Sequence, residues 1–274
     1  MNLDNRPKIG LALGGGSARG FAHLGVLKAL EEKRIPIDAI AGCSMGAIIG
    51  SIYCAGTDLD RLIGLFAALN TKDLIDLVVP RKGLIRGNKF EAALQLLTKD
   101  MDFEQLPKPF TCVACDIAAG KIKVFDKGKV YPAVRASMSI PGVFEPKWID
   151  GVMYVDGGVL NTVPVDAARG MGVDIVIGVD VGIHKAEPAE VKETLLDIYM
   201  RTSDLTGYAA SLNLIEQADI LLRPHVGQTA HYSTRDVELC TKIGYQTAME
   251  HMEVIERAIA QWPSRDFGEM EKRK

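Results

Sequence analysis

Neither sign of charge dominates this sequence. Thirty-two Lys and Arg stand against 35 Asp and Glu, a net of −3, with the two signs mixed along the chain. That leaves no basic footprint for nucleic acid and no polybasic anchor for a membrane. Cysteines are few and odd in number, five in 274 residues. This excludes a paired disulfide framework and favours a reducing, cytoplasmic setting. The opening stretch MNLDNRPKIG holds charges but no apolar core, so no signal peptide is predicted. Repeats, low-complexity tracts and interdomain linkers are also missing. With 47% hydrophobic and 24% charged residues the chain is of ordinary globular composition, which rules out disordered and fibrous classes. One domain over 1–262 is expected, followed by a polar tail at 263–274.

Charge is absent from one longer stretch, the 19 residues from Ala39 to Thr57. A bilayer span needs roughly that length. However, Gly42, Gly46, Gly50 and Gly56, with Ser44, Ser51, Cys43 and Cys54, make it a sequence for tight packing inside a protein. A buried strand, a turn and a helix starting near Ser44 account for it better.

The sequence does have many glycines, 27 in all, clustered early. KIGLALGGG (8–16) is an apolar strand ending in glycines, and helical periodicity follows over 21–34 until Pro36. A second buried strand (37–43) and a helix (45–56) complete a βαβα opening, which predicts a parallel sheet covered on both faces. Helical stripes follow at 59–70 and 89–100. Two strands joined at Ala119-Gly120 fill 110–128, and a short helix broken by Pro141-Gly142 lies within 131–144. A hairpin turning at Asp150-Gly151 occupies 147–158. VDIVIGVDVG (173–182) reads as the cleanest buried strand. A long helix near 189–217, a strand at 218–224 and one helix near 236–261 finish the chain.

Gly14-Gly15-Gly16-Ser17-Ala18-Arg19-Gly20 follows a strand and opens a helix, a place where backbone N–H groups can meet an anion. A dinucleotide fingerprint fails on spacing, since Arg19 stands where the third glycine belongs. A P-loop fails because Phe21-Ala22 replaces Lys-Ser/Thr. An oxyanion formed in acyl transfer needs only aimed N–H groups, and a plain tight turn needs nothing at all. Gly42-Cys43-Ser44-Met45-Gly46 matches G-x-S-x-G at a strand-to-helix turn. Such a turn lifts Ser44 Oγ out at the C-terminal edge of the sheet, with the Met45 N–H facing the same space. Consecutive parallel strands bring the two motifs together.

A serine hydroxyl needs a base. Of His23, His184, His225, His231 and His251, the first sits within a helix as a packing or capping residue, and the others lie in loops or late helices. A histidine triad is awkward here, because a nucleophile after the second strand is too early for the usual α/β-hydrolase order. Among carboxylates, Asp156 (before Gly157-Gly158) and Asp180 (at the end of a strong strand) rank equally, while Asp150 is explained by its turn.

Four blocks in order resemble the patatin-like phospholipase family of lipid acyl hydrolases, in its small bacterial-type form. They are Gly14–Gly20, Gly42–Gly46, Ala136-Ser137-Met138-Ser139-Ile140-Pro141 and Asp156-Gly157-Gly158. The resemblance implies a three-layer α/β/α sandwich with a mostly parallel central sheet. It also implies a Ser44–Asp156 dyad without histidine, and oxyanion N–H groups from Gly15 and Gly16. The resulting expectation is a cofactor- and metal-free esterase acting on lipid or other acyl esters. Gly14, Gly15, Gly16 and Met45 would form its oxyanion hole, and Arg19, Gly42, Gly46, Ser137, Gly157 and Gly158 would support the site. Arg19 would brace the loop or meet a phosphate headgroup. An interaction protein on the same fold and an acyltransferase are the alternatives.

Cys112-x-x-Cys115 lacks the second pair a zinc site needs, and its residues read as buried hydrophobes. Arg81, Lys82, Arg86 and Lys89 form a basic cluster, either a solvated loop or a contact for anionic headgroups. The apolar-then-basic run from Leu74 to Leu84 is a candidate for transient contact with a lipid surface.

Overall fold

The computed structural model describes residues 6–69, 71–77, 83–182, 194–226 and 237–262. The tail, His184, His231, and the 78–82 stretch with Arg81 and Lys82 lie outside the described residues.

The strands are β1 (Ile9–Leu13), β2 (Ala39–Cys43), β3 (Gly83–Ile85), β4 (Phe110–Asp116), β5 (Lys121–Phe125), β6 (Gly142–Phe144), β7 (Lys147–Ile149), β8 (Val152–Asp156), β9 (Ile175–Val179) and β10 (Ile220–Leu222). The helices are α1 (Ala22–Glu32), α2 (Met45–Cys54), α3 (Leu59–Ala68), α4 (Thr71–Leu74), α5 (Asn88–Leu97), α6 (Val130–Ser137), α7 (Val165–Gly170), α8 (Leu195–Ile215), α9 (Val237–Glu250) and α10 (Met252–Gln261). The charge-free stretch is thus β2 and α2. Among the described residues no helix is long and apolar enough to cross a membrane.

The main sheet runs β10-β9-β1-β2-β4-β8-β7, with β5 also on β4. Its centre, from β10 to β4, is parallel, and β5, β8 and β7 join antiparallel. Alternation along the central strands separates two cores. Leu11, Leu13, Ile40, Ile175, Ile177 and Val179 pack into the larger one. Ala12, Ala39, Ala41, Val113 and Val176 face a smaller one that includes Val165, Ala167 and Ala168 of α7. Both faces of each central strand are buried, as near-continuous apolar runs require. The architecture is a three-layer α/β/α sandwich with a mostly parallel sheet.

Three local features depart from the sequence pattern. The irregular stretch before α5 contains β3, which pairs in parallel with β6 as a separate two-stranded sheet. Two such short strands, so far apart in sequence, carry no local signal of pairing. A four-residue helix, α4, precedes β3. The single helix expected near 236–261 is two, broken at His251, whose Nδ1 lies 2.8 Å from the Thr247 carbonyl and competes for the acceptor the helix backbone needs.

Candidate active site

Ser44 stands between β2 and α2 at φ 51°, a left-handed conformation unusual for a side-chain-bearing residue. Such a residue carries roughly 1–3 kcal/mol of strain and persists only where its surroundings hold it. Here the Ser44 N–H donates to Ser137 Oγ at 2.9 Å, and the Ser44 carbonyl accepts from Ala47 and Ile48 at 3.0 Å. The flanking glycines are needed for close approach. A Cβ on Gly42 would lie 2.6 Å from Ala47 Cα, and one on Gly46 would strike the Leu13 carbonyl. The Ser137 hydroxyl therefore holds the backbone of the elbow.

Asp156 reaches Ser44 through an arrangement of strand edges. β4 pairs with β5 on one edge and with β2 on the other, where Cys43 faces Val113. The next β4 residue, Ala114, pairs with Asp156 on β8. Since β5 already occupies the opposite edge at Ala114, β8 continues the edge that β2 leaves. β2 is parallel to β4 and β8 antiparallel, so the C-terminal ends of β2 and β8 meet head-on. The Ser44 side chain lies beside the Asp156 carboxylate and favours its charged form, and the carboxylate accepts from the Gly158 N–H at 2.8 Å. The Cys43 thiol stands 3.8 Å from Asp156 Oδ1. Burial dominates these hydrogen bonds and pushes the Asp156 carboxyl up to about 6. Gly157 lets the chain cross over the Val113 carbonyl, which a Cβ there would approach to 2.6 Å.

The glycine loop departs from expectation. Gly14 N–H donates to Val179 O at 3.0 Å and Gly15 N–H to Thr162 O at 2.8 Å, so neither is free to meet an oxyanion. Both glycines serve instead to lay the loop against its neighbours. A Cβ on Gly14 would come within 2.9 Å of the Val179 carbonyl, and one on Gly15 within 3.2 Å of Ser44 Cβ. Gly16 lines the cleft, and its N–H has no acceptor among the described residues. Met45 N–H belongs to the first turn of α2, whose donors have no partner within the helix. The candidate oxyanion donors are thereby reduced from four to Gly16 and Met45.

Arg19 is buried and forms a two-pronged ion pair with Asp204 of α8, at 2.8 and 3.2 Å. It braces rather than points outward. α8 forms one wall of a cleft with about 690 Å³ of empty space including its mouth, floored by Gly15, Gly16, Ser44 and Asp156. Asp180, the rival carboxylate, is buried in the same cleft, but it accepts from the Gly182 N–H at 2.9 Å and lies 3.8 Å from Arg223 Nε. The structure brings Asp156, not Asp180, to the serine. Sequence reasoning missed Asp204 and Ser211, whose hydroxyl accepts from the Thr162 N–H at 3.0 Å. Both act on partners far away in sequence, with no motif to mark them. Among the described residues no group of three His, Cys, Asp or Glu is placed to hold a metal ion, and Cys112 and Cys115 are buried free thiols.

Together the fold and site define an α/β/α protein whose serine elbow and adjacent carboxylate meet at the C-terminal edge of a parallel sheet. A family model described as patatin-like phospholipase matches residues 11–169. An uncharacterised NTE family protein of Mycobacterium tuberculosis is 36% identical over 220 residues, covering 77% of this chain and 61% of the relative. The lysophospholipase nte1 of Aspergillus fumigatus is 37% identical over 180 residues, 64% of this chain and 12% of the relative. The chain thus spans less than two thirds of the length of these relatives. VipD from Legionella pneumophila shares the fold, with TM-score 0.62 at 15% identity over 91% of this chain and 67% of that one. The chain belongs to the patatin-like phospholipase family.

Proposed function

We propose that the chain is a serine hydrolase of lipid acyl esters, of the phospholipase A or lysophospholipase type. The observation that carries this reading is the juxtaposition of a strained, elbow-held Ser44 and a buried, proton-accepting Asp156 on the floor of one cleft. Ser44 Oγ attacks the ester carbonyl as Asp156 accepts its proton. The new C–O bond gives a tetrahedral oxyanion, stabilised by the N–H groups of Gly16 and Met45. Asp156 returns the proton to the departing alkoxide, leaving an acyl-Ser44. Water, with Asp156 again as base, then releases the fatty acid. A free aspartate is a weak base, with a pKa of about 3.9, whereas one near 6 suits work at neutral pH.

The family, and the lysophospholipase name of the Aspergillus relative, support a lipid ester as substrate. A lipid-surface contact is proposed for the apolar-then-basic stretch at residues 74–84. Its described flanks place Leu77 and Leu84 at the surface, exposed to 77% and 40%. Two measurements test the reading. A fluorophosphonate probe should label the wild type and not Ser44→Ala, and lysophospholipids, diacyl phospholipids and soluble p-nitrophenyl esters should be hydrolysed by the wild type. Folded wild type that neither labels nor turns over any of them would leave the interaction-protein reading in its place.

A further inference from the structure

His23 is the second residue of α1, completely buried, and is not among the residues lining the cleft. An interior helix position of this kind is ordinarily filled by Leu or Val, as at Leu24 and Val26 beside it. Among the described residues the imidazole has one hydrogen-bond partner: Nε2 lies 2.8 Å from the Gly14 carbonyl, while Nδ1 has none. A carbonyl only accepts, so the ring must donate from Nε2 and leave Nδ1 bare. Burial pushes the imidazole down to about 4, which keeps it neutral in this single-donor form.

The carbonyl it holds belongs to the peptide that joins Gly14 to Gly15. The N–H of the same rigid peptide is the one bonded to Thr162 O, and the preceding N–H is bonded to Val179 O. Three hydrogen bonds thus fix two successive peptide planes of a Gly-Gly-Gly run, which on its own has wide φ/ψ freedom. The next N–H in the chain is that of Gly16, which faces the cleft without an acceptor among the described residues. Two of the three fixing bonds come from backbone and cannot be lost by substitution. The third depends on a single side chain.

We infer that His23 is a positioning residue for the reaction proposed above, the group that sets the direction of the Gly16 N–H by holding the Gly14 carbonyl. The inference rests on the hydrolase reading. His23 does not exchange a proton with Ser44 or substrate. Removing its donor leaves a buried carbonyl that the flexible glycine loop can satisfy only by turning, and the turn carries Gly16 with it.

The test uses three variants on a short soluble ester. In His23→Gln the side-chain amide nitrogen falls near the Nε2 position, so kcat should stay within about tenfold of wild type. In His23→Leu the donor is gone, and kcat should fall by about a hundredfold, in the range of a lost oxyanion donor, with KM changed by less than about threefold. Should the leucine variant not fold, His23→Asn takes its place. Its amide falls near Nδ1, cannot reach Gly14 O, and should lose kcat as leucine would. A second readout is independent of catalysis: in the wild type, nitrogen NMR should show His23 with Nε2 protonated and no titration between about pH 5 and 8. A folded leucine or asparagine variant with kcat equal to that of the glutamine variant overturns the inference, as does an Nδ1-protonated ring. Failure of the hydrolase reading is distinct: the wild type itself would be inactive while the His23 tautomer remained as described.

Discussion

Asp156 stands one residue further along β4 than Cys43 does: Cys43 faces Val113, and Asp156 faces Ala114. The carboxylate is thus carried to Ser44 by backbone pairing rather than by a loop, and two strands meeting end to end set its position. Sites built on strands in this way hold geometry more tightly than loop-borne ones. The β7–β8 hairpin, turned tightly at Asp150 and Gly151, delivers it.

That burial makes pH a probe of the site. With Asp156 raised to about 6, activity should fall on acidification along a limb near pH 6 as the base becomes protonated. Stability follows the same group in the opposite sense. Between its unfolded pKa and about 6 the folded protein holds a proton that the unfolded chain has released. The stability is therefore complete below about pH 4 and is lost as pH rises through 6, by about 3 kcal/mol. Asp156→Asn should be more stable than wild type at pH 8 and not at pH 4, measured by urea midpoints. His23, lowered to about 4, acts in reverse: its contribution is complete above about pH 6.5 and is lost as pH falls toward 4.

Gly16 should tolerate no side chain. A Cβ there would meet Val181 Cγ2 at 2.8 Å and the Val181 carbonyl at 2.9 Å. Gly16→Ala should lower kcat by about 10²–10³-fold through displacement of its N–H, with Ser44 still labelled slowly by a fluorophosphonate. Wild-type turnover in a folded Gly16→Ala protein would remove this donor from the mechanism.

The Arg19–Asp204 pair should matter to stability before it matters to chemistry. Both partners are largely buried, with side-chain exposures of 5% and 16%. Removing either alone should destabilise by about 3–5 kcal/mol, because the other is left without its counter-charge. A paired Arg19→Met, Asp204→Leu replacement should recover much of that loss. Thermal melts of the two single variants and the double variant measure the coupling.

Leu77 and Leu84 should act on lipid surfaces alone. Replacing both with Ser should reduce hydrolysis of micellar or vesicular substrate at least tenfold while leaving short soluble esters within about twofold. Equal losses on both substrate types would reduce the segment to a packing role.

Much of this site is legible in the sequence, because its parts are local. A strand that turns sharply into a helix needs glycines around its serine, so the elbow appears as Gly42-Cys43-Ser44-Met45-Gly46. The central strands are visible as short apolar runs for the same reason, being buried on both faces. What depends on distant partners is not legible. Nothing local tells that Val179 and Thr162 take the N–H groups of Gly14 and Gly15, that Asp204 neutralises Arg19, or that His23 turns inward to a carbonyl. Between Asp156 and Asp180, the residues alone do not decide; the Asp156-Gly157-Gly158 block points to Asp156, and the register of β8 on β4 shows how it comes to stand beside the end of β2.

Everything proposed for catalysis turns on Asp156 being the immediate base for Ser44, with no imidazole between them. The decisive quantity is kcat on a soluble ester for Asp156→Asn beside the five single variants His23→Gln, His184→Gln, His225→Gln, His231→Gln and His251→Gln. With the dyad at work, Asp156→Asn remains folded but loses on the order of a thousandfold or more, while each histidine variant stays within about tenfold of wild type. Asp180→Asn should be mild by comparison. A folded histidine variant that is inactive while Asp156→Asn stays active would refute the dyad and put a histidine in the place of the aspartate.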